Sequence, residues 1–422
     1  MSKAVTKQPN PWWVAVINGM ASYIDSCTII TSGVALVIYQ QTFGLTDIQF
    51  GALSAALTFC IAIGSILGGR LGDLFGRKPV FSVTMVMLVV GALIMVFSSN
   101  FVLLLIGEIL MGLGVGADLP VSLATISEEA PDEKRGKMLL FSDILWVVGI
   151  VVAQGIGSLV GDWGLLGGQI MFGQLAAVSA IVLILRQTIP ESPVWLKMNE
   201  QRKQGIVNKK DTGKVGDLFK KPYVVPFVAL MIFYIGTNVP ANSLGQFSTW
   251  IGANVVELPI SMVSTIGLVV YPIRAILDFV FMHFVDTPKR MPLFYMGAVL
   301  YLAGFLMFPL FGASAVTYAL TQLLYCIGAA FAFEGILKVW MQECFPTLLR
   351  TTANGTIVFV SRFSCAIVGF FTASFITAFG YQVAFWVLSI MCAIGFAAAI
   401  WAFHGKRYNT FEDEDEEVPA KA

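Results

Sequence analysis

Twelve long apolar segments limit what this chain can fold into more than any other feature of its sequence. They lie at about 12–38, 47–71, 80–98, 102–126, 138–160, 166–187, 224–250, 260–284, 291–310, 315–342, 351–378 and 381–404. Each is near or above the ~20 residues with which a helix crosses a bilayer, and irregular backbone cannot face lipid. Only 12% of the residues are charged, against roughly 25% in soluble domains. The sequence therefore predicts an all-α membrane protein with 12 transmembrane helices.

The basic residues predict how these helices are oriented. Every Lys and Arg at or beyond the ends of the spans falls on the same side of a twelve-span arrangement. The loops on the opposite side, such as 40–46 and 251–259, contain none. By the positive-inside rule, both termini are then cytoplasmic. The compact length and short loops favour a bacterial plasma membrane.

A polar stretch divides the chain into two halves. The segment 197-KMNEQRKQGIVNKKDTGKVGDLFKKP-222 holds eight basic and three acidic residues. We interpret it as a cytoplasmic linker between a six-helix bundle at 1–196 and a second one at 223–404. Residues 405–422 form an acidic cytoplasmic tail in this interpretation. Six plus six helices is a common transporter plan, with the substrate bound near the membrane midplane.

Charged turns recur at corresponding places in the two halves. The second span is followed by 68-GGRLGDLFGRKPV-80 and the eighth by 284-FVDTPKRMPLF-294, and each contains an Asp four residues before an Arg. Asp73 and Arg77 could bridge to neighbouring helix ends and hold one state of a moving bundle. The alternative is a charged turn that only satisfies the positive-inside rule.

The first of these turns resembles the signature loop of the major facilitator superfamily, G-x-L-(A/G)-D-x-x-G-R-(R/K). Four other stretches are similar to motifs of its sugar-porter or synaptic-vesicle-protein-like branch: 23-YIDSCTIITSG-33, 127-SEEAPDEKRGK-137, 190-PESPVWL-196 and 343-ECFPTLLR-350. The resemblance implies two pseudo-symmetric six-helix bundles and a conformational latch. The latch residues that it implies are Gly69, Asp73, Gly76, Arg77, Glu128, Arg135, Asp286, Arg290, Glu343 and Arg350.

Nine ionisable residues fall at membrane depth, where each charge costs at least ~2.5–3.5 kcal/mol on insertion scales. They are Asp25, Glu108, Asp118, Asp143, Arg274, Asp278, Glu334, Lys338 and Arg362. Arg274 lies four residues before Asp278, and Glu334 lies four before Lys338, so each pair shares a helix face and could be a salt bridge. We expect Arg362 to contact a carboxylate on another helix or on a ligand.

The resemblance to sugar porters places several of these residues in the substrate site. The positions that it assigns are Arg362, Arg274, Lys338, Asp143, Ser361 and Asn238. Lys338 and Arg362 stand where sugar porters have Trp, and Arg274 stands where they have Asn. Asp143 and Ser361 take Gln positions. The site thus exchanges neutral and aromatic groups for three cations, which implies a substrate with negative charge.

Polar and aromatic residues supply further candidate contacts. Asn238, Asn242 and Gln246 lie four apart on one face of the seventh helix and offer donors and acceptors to hydroxyls. Trp146 and Tyr271 could stack on an apolar face of the substrate. Interhelical packing explains the stripe and the aromatic residues equally well.

Two carboxylates are candidates for proton coupling. In proton-coupled sugar porters, an Asp on the first helix is protonated and an Arg on the fourth is its partner. Asp25 matches the Asp, whereas Glu108 takes the place of the Arg. Two facing carboxylates would favour one shared proton. Alternatively, Glu108 serves a sodium or cationic-substrate site, or the acids of the first half, Asp118 among them, pair with the cations of the second half.

The sequence thus predicts a proton-coupled symporter of a small organic anion, such as a sugar acid. The alternatives are a symporter of a neutral sugar or polyol, then an efflux antiporter. We expect no enzyme, because the sequence has no soluble domain of useful size, no nucleophile elbow, no zinc-ligand spacing and no phosphate loop. The Gly-rich run 112-GLGVGAD-118 lies inside a span and indicates close helix contact. The expected partners are the solute, protons and lipid, with no cofactor, no nucleic acid and a monomeric working unit.

Overall fold

A computed structural model describes residues 10–129, 131, 135–192, 196, 199–200, 218–285, 287–345 and 347–405. Regular structure within these ranges is helical throughout. The chain divides into two compact units, an N-terminal unit, Met1–Val207, and a C-terminal unit, Asn208–Ala422. Most of the predicted linker and of the acidic tail lies outside the described residues, so their limits remain predictions.

The described residues of the N-terminal unit form six long helices. They are α1 (Pro11–Phe43), α2 (Asp47–Phe75), α3 (Arg77–Val96), α4 (Phe101–Glu129), α5 (Arg135–Val160) and α6 (Leu165–Arg186). Local sequence determines where several of them begin. Asn10 caps α1 by accepting a hydrogen bond of 2.9 Å from the backbone N–H of Trp12, and Thr46 with Gln49 forms a capping box at α2.

Eight helices lie in the described residues of the C-terminal unit. They are α7 (Val224–Gln246), α8 (Ser248–Asn254), α9 (Ile260–Phe284), α10 (Arg290–Phe311), α11 (Ala315–Ala332), α12 (Glu334–Glu343), α13 (Thr347–Phe379) and α14 (Tyr381–Phe403). Two spans that were predicted as continuous are each interrupted at one residue. The seventh is interrupted at Phe247, and the tenth at Phe333, whose φ of −132° and ψ of −119° are not helical.

Most of these helices can cross a membrane. Eleven helical stretches in the described ranges are long and apolar enough to span a bilayer, and Ile144–Val160 is a shorter apolar stretch. That shorter stretch belongs to α5, which extends over 26 residues. The twelve predicted spans therefore all have a helical counterpart.

Small residues bring α2 and α4 into close contact. A Cβ atom at Gly116 would overlap the backbone of Ile61, and one at Gly68 would overlap the backbone of Ala117. This contact confirms the interpretation of 112-GLGVGAD-118 as a packing segment. The same packing positions Glu108 in the interior of the N-terminal unit, since this residue lies one turn before Gly112 on α4.

Candidate functional site

A cluster of polar side chains in the C-terminal unit contains four of the ten predicted substrate contacts, namely Asn238, Arg274, Ser361 and Arg362. Its first element is Arg274 on α9, which is buried and lies with Nε 3.7 Å from Oδ2 of Asp278, one turn further along the helix. Arg274 also interacts with the Tyr325 side chain on α11 and electrostatically with Glu334 on α12. Its guanidinium lies 5.9 Å from the ring centroid of Phe333. Arg274 is therefore enclosed by partners from its own unit.

The second element of this cluster joins α7 to α12 and α13. The Asn238 side-chain amide donates to the Ser361 hydroxyl at 2.9 Å. One turn earlier on α7, the Tyr234 hydroxyl donates to Oε1 of Glu334 at 3.5 Å. Arg362 is half-buried and interacts electrostatically with Tyr234. We call Tyr234, Asn238, Arg274, Asp278, Tyr325, Glu334, Ser361 and Arg362 the polar cluster.

The break at Phe333 explains the position of Glu334 in the polar cluster. Because the helix restarts there, Glu334 is the first residue of α12, where a carboxylate is favoured by the helix dipole. From this position it interacts with Tyr234, Arg274 and Tyr325. Tyr234 could have been found from the sequence. It lies four residues before Asn238 and so continues the polar face of Asn238, Asn242 and Gln246 on α7.

The formal charges within the polar cluster balance. It contains two guanidinium groups, on Arg274 and Arg362, and two carboxylates, on Asp278 and Glu334. Lys338, the third predicted cation, is an exposed residue of α12. The predicted excess of positive charge is thus offset by two carboxylates that lie near Arg274.

The remaining predicted contacts of the C-terminal unit are placed on α7 and α9. Asn242 is half-buried, and its Oδ1 atom has no hydrogen-bond donor among the described residues. Gln246 and Tyr271 are buried. Asn242 therefore offers an acceptor that the described part of the protein does not use.

In the N-terminal unit, Asp25 is buried on α1 and is bound to α5. Trp146, which was predicted to stack on substrate, donates from its indole Nε1 to Oδ2 of Asp25 at 3.1 Å. Nearby, Ser22 and Ser142 share a hydrogen bond of 2.6 Å, and the Ser26 hydroxyl donates to the Trp146 carbonyl at 2.6 Å. Asp25 thus belongs to a polar contact between α1 and α5.

Glu108 has a separate environment. It is fully buried on α4, and its Oε2 accepts a hydrogen bond of 3.2 Å from the hydroxyl of Ser32 on α1. Ser32 lies seven residues beyond Asp25, which is about 10 Å along the helix axis at 1.5 Å per residue. The two carboxylates are therefore bound at different levels of α1, and a proton held directly between them is not the arrangement of this structure.

Asp118 was one of the acids that could pair with cations of the second half, and in this structure it has a partner within its own unit. Its partner is Arg186, at the end of α6 in the same unit, through Nη1 to Oδ1 and through Nη2 to Oδ2 at 2.9 Å. Thr84 and Ser122 hydrogen-bond to the carboxylate as well. The pair forms because α6 packs against α3, so that the long Arg186 side chain extends over the Phe81 ring of α3 and reaches Asp118 on α4.

The latch residues that are described contact partners within their own units. Gly76 has a φ of 104°, which favours glycine, and it begins the turn into α3. Glu191, a residue that the sequence analysis did not single out, accepts the backbone N–H groups of Arg77 and Lys78 at 2.8 and 3.2 Å. In the C-terminal unit, Arg290 contacts Glu343 with 2.7 Å between Nη1 and Oε1.

Some predicted residues fall where the structure gives no side-chain description. Asp286 lies outside the described residues. The surroundings of six others lie outside them too, namely Gly69, Asp73, Glu128, Arg135, Asp143 and Arg350. Their roles remain predictions.

Residues 12–369 match the Major Facilitator Superfamily. The chain belongs to this superfamily. It is 31% identical over 369 residues to the minor myo-inositol transporter IolF of Bacillus subtilis (strain 168), covering 86% of this chain and 83% of that protein. It is 28% identical over 353 residues to the putative niacin/nicotinamide transporter NiaP of the same organism, covering 82% and 84%.

A solved structure shares the same fold. The crystal structure of a D-xylose-proton symporter superposes with a TM-score of 0.75 at 20% identity, over 94% of this chain and 98% of that one. The predicted fold class and superfamily are confirmed. The chain is therefore a multi-pass membrane protein of the major facilitator fold, and it acts as a secondary transporter rather than as an enzyme.

Proposed function

We propose that this protein is a proton-coupled symporter that takes up a neutral polyhydroxylated solute, either a cyclic polyol or a sugar, by alternating access. The observation that carries this proposal is the balance of two guanidinium groups and two carboxylates in the polar cluster. A neutral solute can enter such a cluster without leaving an unpaired charge. An anion would have to displace Asp278 or Glu334 from Arg274.

Neutral groups of the polar cluster suit hydroxyl recognition. The Ser361 hydroxyl accepts a hydrogen bond from Asn238 and can donate its own proton to a solute oxygen. Asn242 offers Oδ1 as an acceptor for a solute hydroxyl. Alternating donors and acceptors of this kind match a ring that carries several hydroxyl groups.

The relatives favour the neutral alternative over the organic anion expected from the sequence. The names of two of them specify myo-inositol and D-xylose, and both compounds are neutral and polyhydroxylated. The sequence argument counted three cations and proposed the Arg274–Asp278 pair, but it paired Glu334 with Lys338 and not with Arg274.

An organic anion remains the second candidate, and one comparison favours it. NiaP is named as a putative niacin/nicotinamide transporter, and niacin is a carboxylic acid. For such a substrate, Arg362 and the exposed Lys338 are the cations that we assign to the carboxylate. This assignment keeps the proton coupling and changes only the substrate class.

Uptake into proteoliposomes separates these candidates. Labelled myo-inositol, D-xylose, galacturonate and nicotinate are each offered under an inward proton gradient, with and without a protonophore. We expect accumulation of a neutral compound, its loss with the protonophore, and weak competition by galacturonate and nicotinate. Accumulation of only the two acids would support the anion and reject the neutral solute.

Variants then test the site. Asn238→Ala is expected to raise the apparent KM for the accumulated solute, because it removes the amide bound to Ser361. Glu257→Gln, at an exposed position before α9, is a control that should leave uptake unchanged. If Asn238→Ala behaves like the control, the polar cluster is not the solute site.

The arrangement in the cell follows the sequence prediction. We propose a plasma-membrane location with both termini cytoplasmic and a single chain as the working unit. Reporter fusions at the two ends test the orientation, and light scattering of the purified protein tests the monomer.

A further inference from the structure

Glu108 is buried without a cationic partner in the described part of the chain. Its side chain is fully inaccessible. Oε2 accepts the Ser32 hydroxyl at 3.2 Å, and Oε1 has no hydrogen-bond partner among the described residues. An ionised carboxylate with a single hydrogen bond in such a place is strongly disfavoured, whereas a neutral carboxylic acid is tolerated.

The groups that face Glu108 from the neighbouring helices do not supply a positive charge. On α1 the facing group is the Ser32 hydroxyl, and on α2 it is the thiol of Cys60. On α3, Met95 lies against the neighbouring Gly107 of α4. The only described basic residues of α3, Arg77 and Lys78, are in its first turn, at the opposite end of the helix from Met95.

The other predicted acids of the N-terminal unit, Asp25, Asp118 and Asp143, lie further along their helices, away from the Ser32–Glu108 contact. Asp25 is seven residues before Ser32 on α1 and is bound by Trp146. On α5, Ser142 meets Ser22, ten residues before Ser32, so its neighbour Asp143 lies at that level of the helix pair. Asp118, ten residues after Glu108 on α4, is neutralised by Arg186. Among the described side chains, Glu108 is therefore separated from the carboxylates of Asp25 and Asp118.

We propose that Glu108 carries the coupling proton. Asp25 is in this proposal a positioning residue, because its carboxylate holds the indole of Trp146. This inference rests on the proposed function, since it assigns the proton of a proton-coupled transporter to one residue. It departs from the sequence expectation of a proton shared by both carboxylates.

The proton step balances without another reactant. Glu108 in its carboxylate form takes a proton from hydronium on one side of the membrane, which gives the carboxylic acid and water. On the other side the acid returns the proton to water. In the conformation described here, the buried side chain is in the acid form, and Ser32 is its hydrogen-bonding partner.

Infrared difference spectroscopy tests this assignment without any solute. Wild-type protein in lipid nanodiscs is stepped from neutral to alkaline pH, and the C=O stretch of a protonated carboxylic acid is followed. We expect this band to be lost on alkalinisation, to be missing from Glu108→Gln and to persist in Asp25→Asn. Ser32→Ala should shift the band to higher frequency, because the hydroxyl no longer hydrogen-bonds to the acid.

Two spectroscopic results would overturn the proposal. One is a wild-type spectrum without a titrating acid band, and the other is a band that disappears in Asp25→Asn but remains in Glu108→Gln. Glu257→Gln, at an exposed position, controls for loss of any Glu. If Glu108→Gln does not fold, the wild-type band and its shift in Ser32→Ala decide the question.

Transport of labelled myo-inositol supplies the second arm. Glu108→Gln, which resembles the protonated acid, should keep exchange of internal for external solute and lose accumulation driven by a proton gradient. Asp25→Asn should retain some gradient-driven accumulation. If instead a sodium gradient at constant pH drives accumulation and Glu108→Gln abolishes it, Glu108 binds sodium and the proton assignment is wrong.

The infrared experiment and the transport experiment have independent outcomes. If no solute accumulates under a proton gradient but the acid band follows Glu108, then the proposed symport is wrong while the protonation of Glu108 stands. If a solute accumulates and the band does not follow Glu108, the symport stands and this assignment is wrong.

Discussion

Each unit contains a buried arginine that contacts an aspartate, and the two contacts differ in every geometric respect. In the N-terminal unit, Arg186 and Asp118 join two helices, and their side chains are 1% and 2% exposed. In the C-terminal unit, Arg274 and Asp278 lie on the same helix at 3.7 Å, and the Asp278 side chain is 42% exposed.

The difference in burial and geometry indicates that the two arginine–aspartate pairs have different roles. The Arg186–Asp118 pair uses both carboxylate oxygens, and Ser122 also accepts a hydrogen bond from the guanidinium at 2.9 Å. It joins α4 and α6 into one body. The Arg274–Asp278 pair is longer and open on one side, and Arg274 has a second carboxylate, Glu334, within electrostatic reach. If the polar cluster is the solute site, as we propose, this is the pair that we expect to rearrange on binding.

The largest expected effect comes from breaking the enclosed pair. Arg186→Gln leaves the Asp118 charge buried without a cation and should lower the free energy of unfolding by about 3–5 kcal/mol. Denaturant unfolding of the purified protein in detergent measures it. The double variant Arg186→Gln with Asp118→Asn removes both charges, and it should recover part of the loss.

The comparison with the open pair is the control for this prediction. Asp278→Asn removes a partly exposed acid from a cation that has other partners, so its cost should be much smaller. Equal destabilisation by Arg186→Gln and Asp278→Asn would mean that enclosure does not distinguish the two pairs.

A second comparison concerns the glutamates that contact the first residues of α3 and α10, the helices that follow the two charged turns. At α3, Glu191 accepts two backbone N–H groups, from Arg77 and Lys78. At α10, Glu343 contacts the Arg290 side chain, and the two side chains are 26% and 13% exposed. Backbone groups at a helix start have no helical partner, so Glu191 performs the task of a capping residue.

Matched Glu→Gln variants sharpen this comparison. We expect Glu191→Gln to cost about 0.5–2 kcal/mol, as for loss of a helix cap, and Glu343→Gln to cost about 0.2–1 kcal/mol, as for a partly exposed ion pair. Thermal unfolding of both variants in the same detergent gives the ranking. If Glu343→Gln lowers the unfolding temperature more than Glu191→Gln does, Glu191 does not act as the helix cap that we assign to it.

The sequence could predict contacts that are local or repeated along a helix. The Arg274–Asp278 contact follows from their spacing of four residues on one helix. The twelve spans follow from hydrophobicity and length, which the bilayer imposes whatever the tertiary structure. The signature turn at Gly76 follows from a motif whose glycine is needed at positive φ.

Contacts between distant helices could not be predicted in this way. Asp118 and Arg186 are 68 residues apart, and Arg186 alone resembles an ordinary basic residue at a helix end. The interruption at Phe333 carries no Gly or Pro at that position, so packing rather than local preference determines it. That interruption places Glu334 within electrostatic reach of Arg274, whereas the spacing in the sequence had paired Glu334 with Lys338.

The smallest expected effect on stability, and the sharpest on specificity, comes from the open pair. Asp278→Asn should change the free energy of unfolding by no more than about 1 kcal/mol, because Asp278 is partly exposed. It also removes one negative charge from the balanced polar cluster, which then carries a net positive charge.

Uptake of neutral solute should persist in Asp278→Asn, and nicotinate and galacturonate should become stronger competitors than they are for the wild type. Competition assays in proteoliposomes measure this shift, with Glu257→Gln as the control that leaves the cluster intact. Unchanged competition by the acids would show that Asp278 does not set the charge preference of the site, and Glu334 would then be the carboxylate to replace next.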